Sequence, residues 1–96
     1  MTINYLGNNK YQFLDRNGEE IHENDIVRMN GRNMRVFLTD QDALGTDATN
    51  PVWLASRRAE EGEMGIYPFD EYDDPVIVCK GSEYTSFDPV TGNITK

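Results

Sequence analysis

The chain has a single cysteine, a single histidine and no apolar run near the length of a membrane span. With Cys79 as its only thiol it cannot form an internal disulfide. A structural zinc site draws mainly on Cys and His, and Cys79 and His22 do not fill one. Neither glycine-rich phosphate-cradling pattern occurs, so nucleotide-loop chemistry has no foothold. The opening Met1–Lys10 has no basic stretch followed by an apolar one and does not read as a signal peptide. Asn93-Ile94-Thr95 fits the glycosylation acceptor pattern, but a chain that is not exported never meets that machinery. The expectation is a cytoplasmic protein without a membrane segment, metal or cofactor. Bases are also scarce, 9 Lys and Arg against 17 Asp and Glu, for a net charge of −8. Such a chain is soluble and repels free nucleic acid and anionic membranes.

Ninety-six residues make one domain with a small core. Trp53, five tyrosines and four phenylalanines supply large side chains to fill it, which argues for folding over disorder. The charge is uneven. From Glu60 to Asp74 there are seven acids and no base, whereas Arg28, Arg32 and Arg35 sit in a stretch with no acid. The ordinary reading of both is solvated charge with local pairing.

The local signals are those of strands and tight turns. Tyr11 and Phe13 alternate with polar neighbours in Lys10–Leu14, a half-buried strand. Asn17-Gly18 tolerates positive φ at both central positions of a hairpin, which would pair Glu19–Ile21 with that strand. After a polar turn at residues 22–25, Ile26–Met29 and Asn33–Leu38 flank a second Asn-Gly, Asn30-Gly31. The first forty residues therefore read as a β-meander. Thr39–Leu44, ended by Gly45, reads as one helical turn. Asn50-Pro51 is a helix-start signal and Gly62 a stop, so a short helix is expected near 51–61, with a strand at Val52-Trp53-Leu54 as the competing reading. Gly65–Phe69 reads as an edge or bulged strand because Pro68 cannot donate to a ladder. Asp70–Pro75 is a turn or exposed loop, and Val76–Cys79 is a buried strand. Residues 1–80 form a single β-rich domain on this reading, and 81–96 a tail that is either a late hairpin around 88–92 or disordered. The fold class expected is α+β, mainly β: a small SH3-like barrel, or a strongly bent antiparallel sheet, with one short helix.

The segment Leu14-Asp-Arg-Asn-Gly-Glu-Glu-Ile-His-Glu-Asn-Asp-Ile-Val-Arg28 resembles the N-terminal part of YopX-like phage proteins. These are small barrels of phages and other mobile elements, with a strand, an Asn-Gly turn, a short strand and an acidic-Gly-Asp-Ile-Val segment. Asn24 stands where that pattern has glycine, and Asn is the next best residue at positive φ. Residues 44–53 together with Gly65–Phe69 are similar to small proteins carried on bacterial conjugative elements. Both resemblances imply a mobile-element context, and neither implies a catalytic residue.

Candidate chemistry is thin. Cys79 ends the most apolar strand and reads as a packing residue, and His22 reads as a surface side chain, so a Cys–His pair is disfavoured. Asp40-x-Asp42-x-x-Gly45 starts like a calcium loop, but Leu44 and Pro51 occupy ligand positions. Paired carboxylates for sugar hydrolysis need a cleft for which a chain this short has little room. Surface aromatics among acids suit protein contacts, and this points to Tyr67, Phe69, Asp70, Glu71, Tyr72, Asp73 and Asp74 as a protein-binding face. The function expected is a non-enzymatic accessory protein of a mobile element that binds another protein there. The alternative is a barrel that binds nucleic acid through Arg28, Arg32 and Arg35, flanking the second hairpin.

Overall fold

A computed structural model describes the backbone of residues 1–7, 10–40, 52–60 and 63–96, and the side chains of 1–7, 11–37 and 69–96. These residues form strands, turns and irregular segments, with no helix among them. The strands are β1 (Thr2–Gly7), β2 (Lys10–Leu14), β3 (Ile26–Met29), β4 (Arg32–Asp40), β5 (Val52–Glu60), β6 (Glu63–Pro68), β7 (Val76–Cys79), β8 (Ser86–Phe87) and β9 (Ile94–Thr95). They make three antiparallel sheets: the β1–β2 ribbon, a five-stranded sheet in the order β6-β5-β4-β3-β7, and the small β8–β9 hairpin.

The second Asn-Gly acts as its chemistry demands. Asn30 (φ 53°) and Gly31 (φ 77°) are both left-handed, and Met29 pairs with Arg32 across a two-residue loop. Such a turn matches the right-handed twist of its strands. Asn24 is also left-handed, at φ 76°, as its place in the 22–25 turn requires. The first Asn-Gly differs from expectation. Only Gly18 has positive φ, and the loop has three residues, closed by Asp15 N–H donating to the Glu19 carbonyl at 2.8 Å. The cause is Asp15, whose carboxylate accepts the Asn17 and Glu19 N–H groups at 2.8 and 2.9 Å and imposes an Asx turn. Glu20 still bridges Leu14, and Ile21 N–H reaches the Phe13 carbonyl, so the expected pairing is made by a different turn.

The helix expected near 51–61 is not formed, because Val52–Glu60 is a strand hydrogen-bonded on both sides. Arg35↔Arg57 through Asp40↔Val52 joins it to β4, and Ala55↔Pro68 through Glu60↔Glu63 joins it to β6. Two ladders outweigh the modest helix propensity of Ala, Arg and Glu, and Val52-Trp53-Leu54 favours the strand in any case. Thr39 and Asp40, expected to open a helical turn, continue β4. The rest of that turn, with residues 41–51, lies outside the described residues. The sheet is open, since β6 and β7 are its edges and do not pair with each other, so no closed barrel forms among the described residues. Pro68 sits at the end of an edge strand, where its missing donor is harmless. β7 is the other edge, which leaves Val78 exposed while Cys79 is buried.

Strand alternation sorts the side chains into layers. Val27, Met29, Met34 and Val36 share one sheet face and form the core with Phe13, Ile21 and Phe69. The β1–β2 ribbon lies over this face, with Ile3 and Tyr11 half-buried against the core. Phe69 is completely buried, and removing its ring would cost ~3–5 kcal/mol. Ile26, Arg28, Asn33 and Arg35 belong to the opposite face. There the C-terminal hairpin is fastened by Asn33 Nδ2 donating to the Gly92 carbonyl (2.9 Å) and the Tyr84 hydroxyl donating to the Asn24 carbonyl (2.6 Å). No helix among the described residues is long and apolar enough to cross a membrane.

Candidate acidic-aromatic groove

Of the site residues read from the acidic stretch, Asp70 to Asp74 fall on one turn and its exit. Asp70 Oδ1 accepts the Tyr72 N–H at 2.7 Å, and Asp73 Oδ2 accepts the Asp70 N–H at 2.8 Å. Asp73 N–H closes the loop on the Asp70 carbonyl at 3.1 Å. The turn is thus braced by two of its own carboxylates. Asp74 is taken by Arg16, whose Nη2 and Nε approach the same Oδ2 at 2.6 and 2.9 Å. The hydrogen bond from Arg16 holds the Asp74 carboxyl below its ordinary range and raises the Arg16 guanidinium. The Met1 ammonium donates to the backbone carbonyls of Asp73 (2.6 Å) and Glu71 (3.4 Å), pinning β1 against the turn. Glu71 keeps a carboxylate that makes no hydrogen bond or ion pair with a described residue, and Tyr72 stands 86% exposed.

This turn and the ribbon enclose a groove of about 360 Å³. Buried Phe13 and Phe69 make its floor, Ile3 and Tyr11 its wall, and Asp70, Glu71 and Tyr72 its rim. The wall follows from the ribbon register, because Ile3↔Phe13 and Tyr5↔Tyr11 are cross-strand pairs on one ribbon face. Tyr5 and Tyr11 have ring centroids 5.1 Å apart, and Tyr11 and Phe13 lie 6.4 Å apart, both pairs tilted. Asn4 and Gln12 hydrogen-bond on the other ribbon face.

The expected face is therefore divided. Asp70, Glu71 and Tyr72 belong to the groove rim, Asp73 and Asp74 support the turn, and Phe69 is the floor instead of an exposed contact. Tyr67 lies in β6 opposite Ser56, and its side chain is outside the described residues. Ile3, Tyr11 and Phe13 are missing from the expected face. Tyr11 and Phe13 were legible as an alternating strand, but their meeting with residue 70 depends on tertiary packing.

The arginines are not gathered on one face. Arg28 and Arg35 share the sheet face opposite the groove's core, and Arg32 pairs with Met29 on the other side. Arg28 Nη1 donates to Asn33 Oδ1 at 3.2 Å. Arg28 and Arg32 line a shallow cleft of about 200 Å³ between the Asn30-Gly31 turn and residues 89–92. Cys79 is buried, and the exposed His22 ring is held by Glu20 at 3.0 Å, with Lys80 Nζ 3.4 Å from its Nδ1. Lys80 Nζ also reaches buried Asp25 at 2.7 Å, whose carboxylate accepts the His22 and Gly81 N–H groups. That network clamps the 22–25 turn to the end of β7. No cluster of metal-ligating side chains occurs among the described residues. Comparison with protein-family models, curated proteins and solved structures finds no match for this chain.

Proposed function

We propose that the protein is a non-enzymatic cytoplasmic accessory protein of a phage or other mobile element, and that it binds another protein through the groove between the ribbon and the 69–74 turn. The observation that carries this reading is an apolar, aromatic-floored groove whose rim holds a protruding Tyr72 and a Glu71 carboxylate with no partner among the described residues. Concave apolar sites with a few polar rim groups are the usual shape of binding sites, and aromatic rings dominate contact energies. The mobile-element setting rests on the resemblance of residues 14–28 to YopX-like phage proteins. An SH3-like arrangement is the finer fold reading that accompanies it. Burial of Cys79 and engagement of His22 favour a binding protein over a nucleophilic enzyme. The test is pull-down of proteins encoded beside this one, using the wild-type chain, Tyr72→Ala/Glu71→Gln and Arg28→Ala/Arg35→Ala. A partner lost only with the first variant supports the groove. A partner indifferent to it rejects the groove.

A second reading, nucleic-acid binding through Arg28, Arg32 and Arg35, draws on the cleft lined by Arg28 and Arg32 without a carboxylate. The net charge of −8 and the split of the arginines across two faces weigh against it. A gel shift with single-stranded and duplex DNA and RNA at low salt decides it.

A further inference from the structure

We infer that the groove takes a cationic side chain, a lysine or arginine, from a basic segment of the partner protein. This rests on the groove being the protein-binding site and names the chemistry of what enters it. Charge sets the choice. Among the described residues, the ionised side chains around the opening are Asp70 and Glu71, both anionic, on a chain whose net charge is −8. A nearby cation, the Met1 ammonium, is turned to the backbone carbonyls of Asp73 and Glu71. Asp70 has one oxygen committed to the Tyr72 N–H, while the Glu71 carboxylate has no described partner to compete with an incoming cation.

The shape of the groove fits the same occupant. Half-buried Ile3 and Tyr11 offer apolar surface to an alkyl stem above the buried rings of Phe13 and Phe69, and exposed Tyr72 offers a ring near the carboxylates for the charged head. Long cationic side chains bind in this way, stem on apolar surface and head at the edge, with attraction to ring faces added. An anionic residue would meet like charge at the rim, and a purely apolar one would leave Glu71 unanswered.

The probes are side-chain mimics: n-butylammonium for lysine, n-butylguanidinium for arginine, n-butanol as the neutral match and butyrate as the anion. Each is titrated into the full chain, with the Ile3 methyl and the Tyr11 and Phe13 ring signals followed by NMR. Either cation should bind about five- to tenfold tighter than n-butanol, and butyrate more weakly than both. Glu71→Gln should weaken the cations about two- to fivefold and leave n-butanol unchanged. Stronger binding by one cation identifies lysine or arginine as the residue that enters. If n-butanol matches the cations, or Glu71→Gln changes nothing, the cationic occupant is overturned while the groove stands as an apolar site. If no probe moves the Ile3, Tyr11 or Phe13 signals, the groove itself falls as a binding site.

Discussion

Replacing Asp15 tests how an interior carboxylate holds this fold. Asp15 is 4% exposed and accepts three backbone N–H groups: Asn17 and Glu19 on Oδ1, and Ile77, 62 residues away, on Oδ2 at 3.0 Å. It therefore shapes the first hairpin and staples it to β7. A hydrogen bond to a charged acceptor contributes ~1.5–3 kcal/mol. In Asp15→Ala the two turn donors regain water, because residues 16–19 are exposed, so their loss lies at the low end. The Ile77 donor is left without its partner at the sheet edge. The expected cost is ~4.5–6 kcal/mol, a large part of the ~5–15 kcal/mol available to a domain. Asp15→Asn retains one amide oxygen for the turn and loses the bond to Ile77, at about half that cost. Urea unfolding of the three proteins gives the free energies, and hydrogen exchange at Ile77 reports the staple directly. A loss below about 1 kcal/mol for Asp15→Ala, or an unchanged Ile77 exchange rate, would refute the reasoning.

Other residues give sharper local tests. Gly31→Ala places a side chain at φ 77° and should destabilise by ~1 kcal/mol, whereas Asn30→Gly should be close to neutral, both read by urea unfolding. Arg16 depresses the folded-state pKa of Asp74, so the pair stabilises the fold above the ordinary carboxylate value of 3.8, and this support is lost as pH falls through the lowered value. Asp74→Asn should therefore lose less thermal stability than wild type between pH 5 and pH 2, in a melting series across that range. Tyr72→Ala removes an 86% exposed ring and should change unfolding free energy by less than ~0.5 kcal/mol, which makes it a clean binding probe.

What the sequence made legible was local. Asn30-Gly31 announces its hairpin because only residues that accept left-handed backbone fit both turn positions. Tyr11 and Phe13 announce a strand by alternation, and Ile3 and Tyr5 carry the same alternation in Thr2–Gly7, the strand that pairs with them. Val52–Glu60 carries helix-compatible residues after an Asn-Pro start, and its strand state is decided by neighbours on both sides, which a local pattern does not contain. The candidate site divides in the same way. Its rim, Asp70 to Tyr72, lies in one acidic run, but Ile3, Tyr11 and Phe13 join it only through the ribbon register and the packing of Phe69. The burial of Asp15 and Asp25 has no local signal, because their distant partners near β7 are 55 to 62 residues away.

The most direct measurement is site-specific photo-crosslinking in cells that express the protein, with a benzophenone amino acid at position 72 on the groove rim or at position 35 on the opposite face. Crosslinks to one protein from 72, none from 35, and their disappearance when Glu71 is changed to Gln are the expected result. Crosslinks from 35 with none from 72 would contradict the groove as the contact surface.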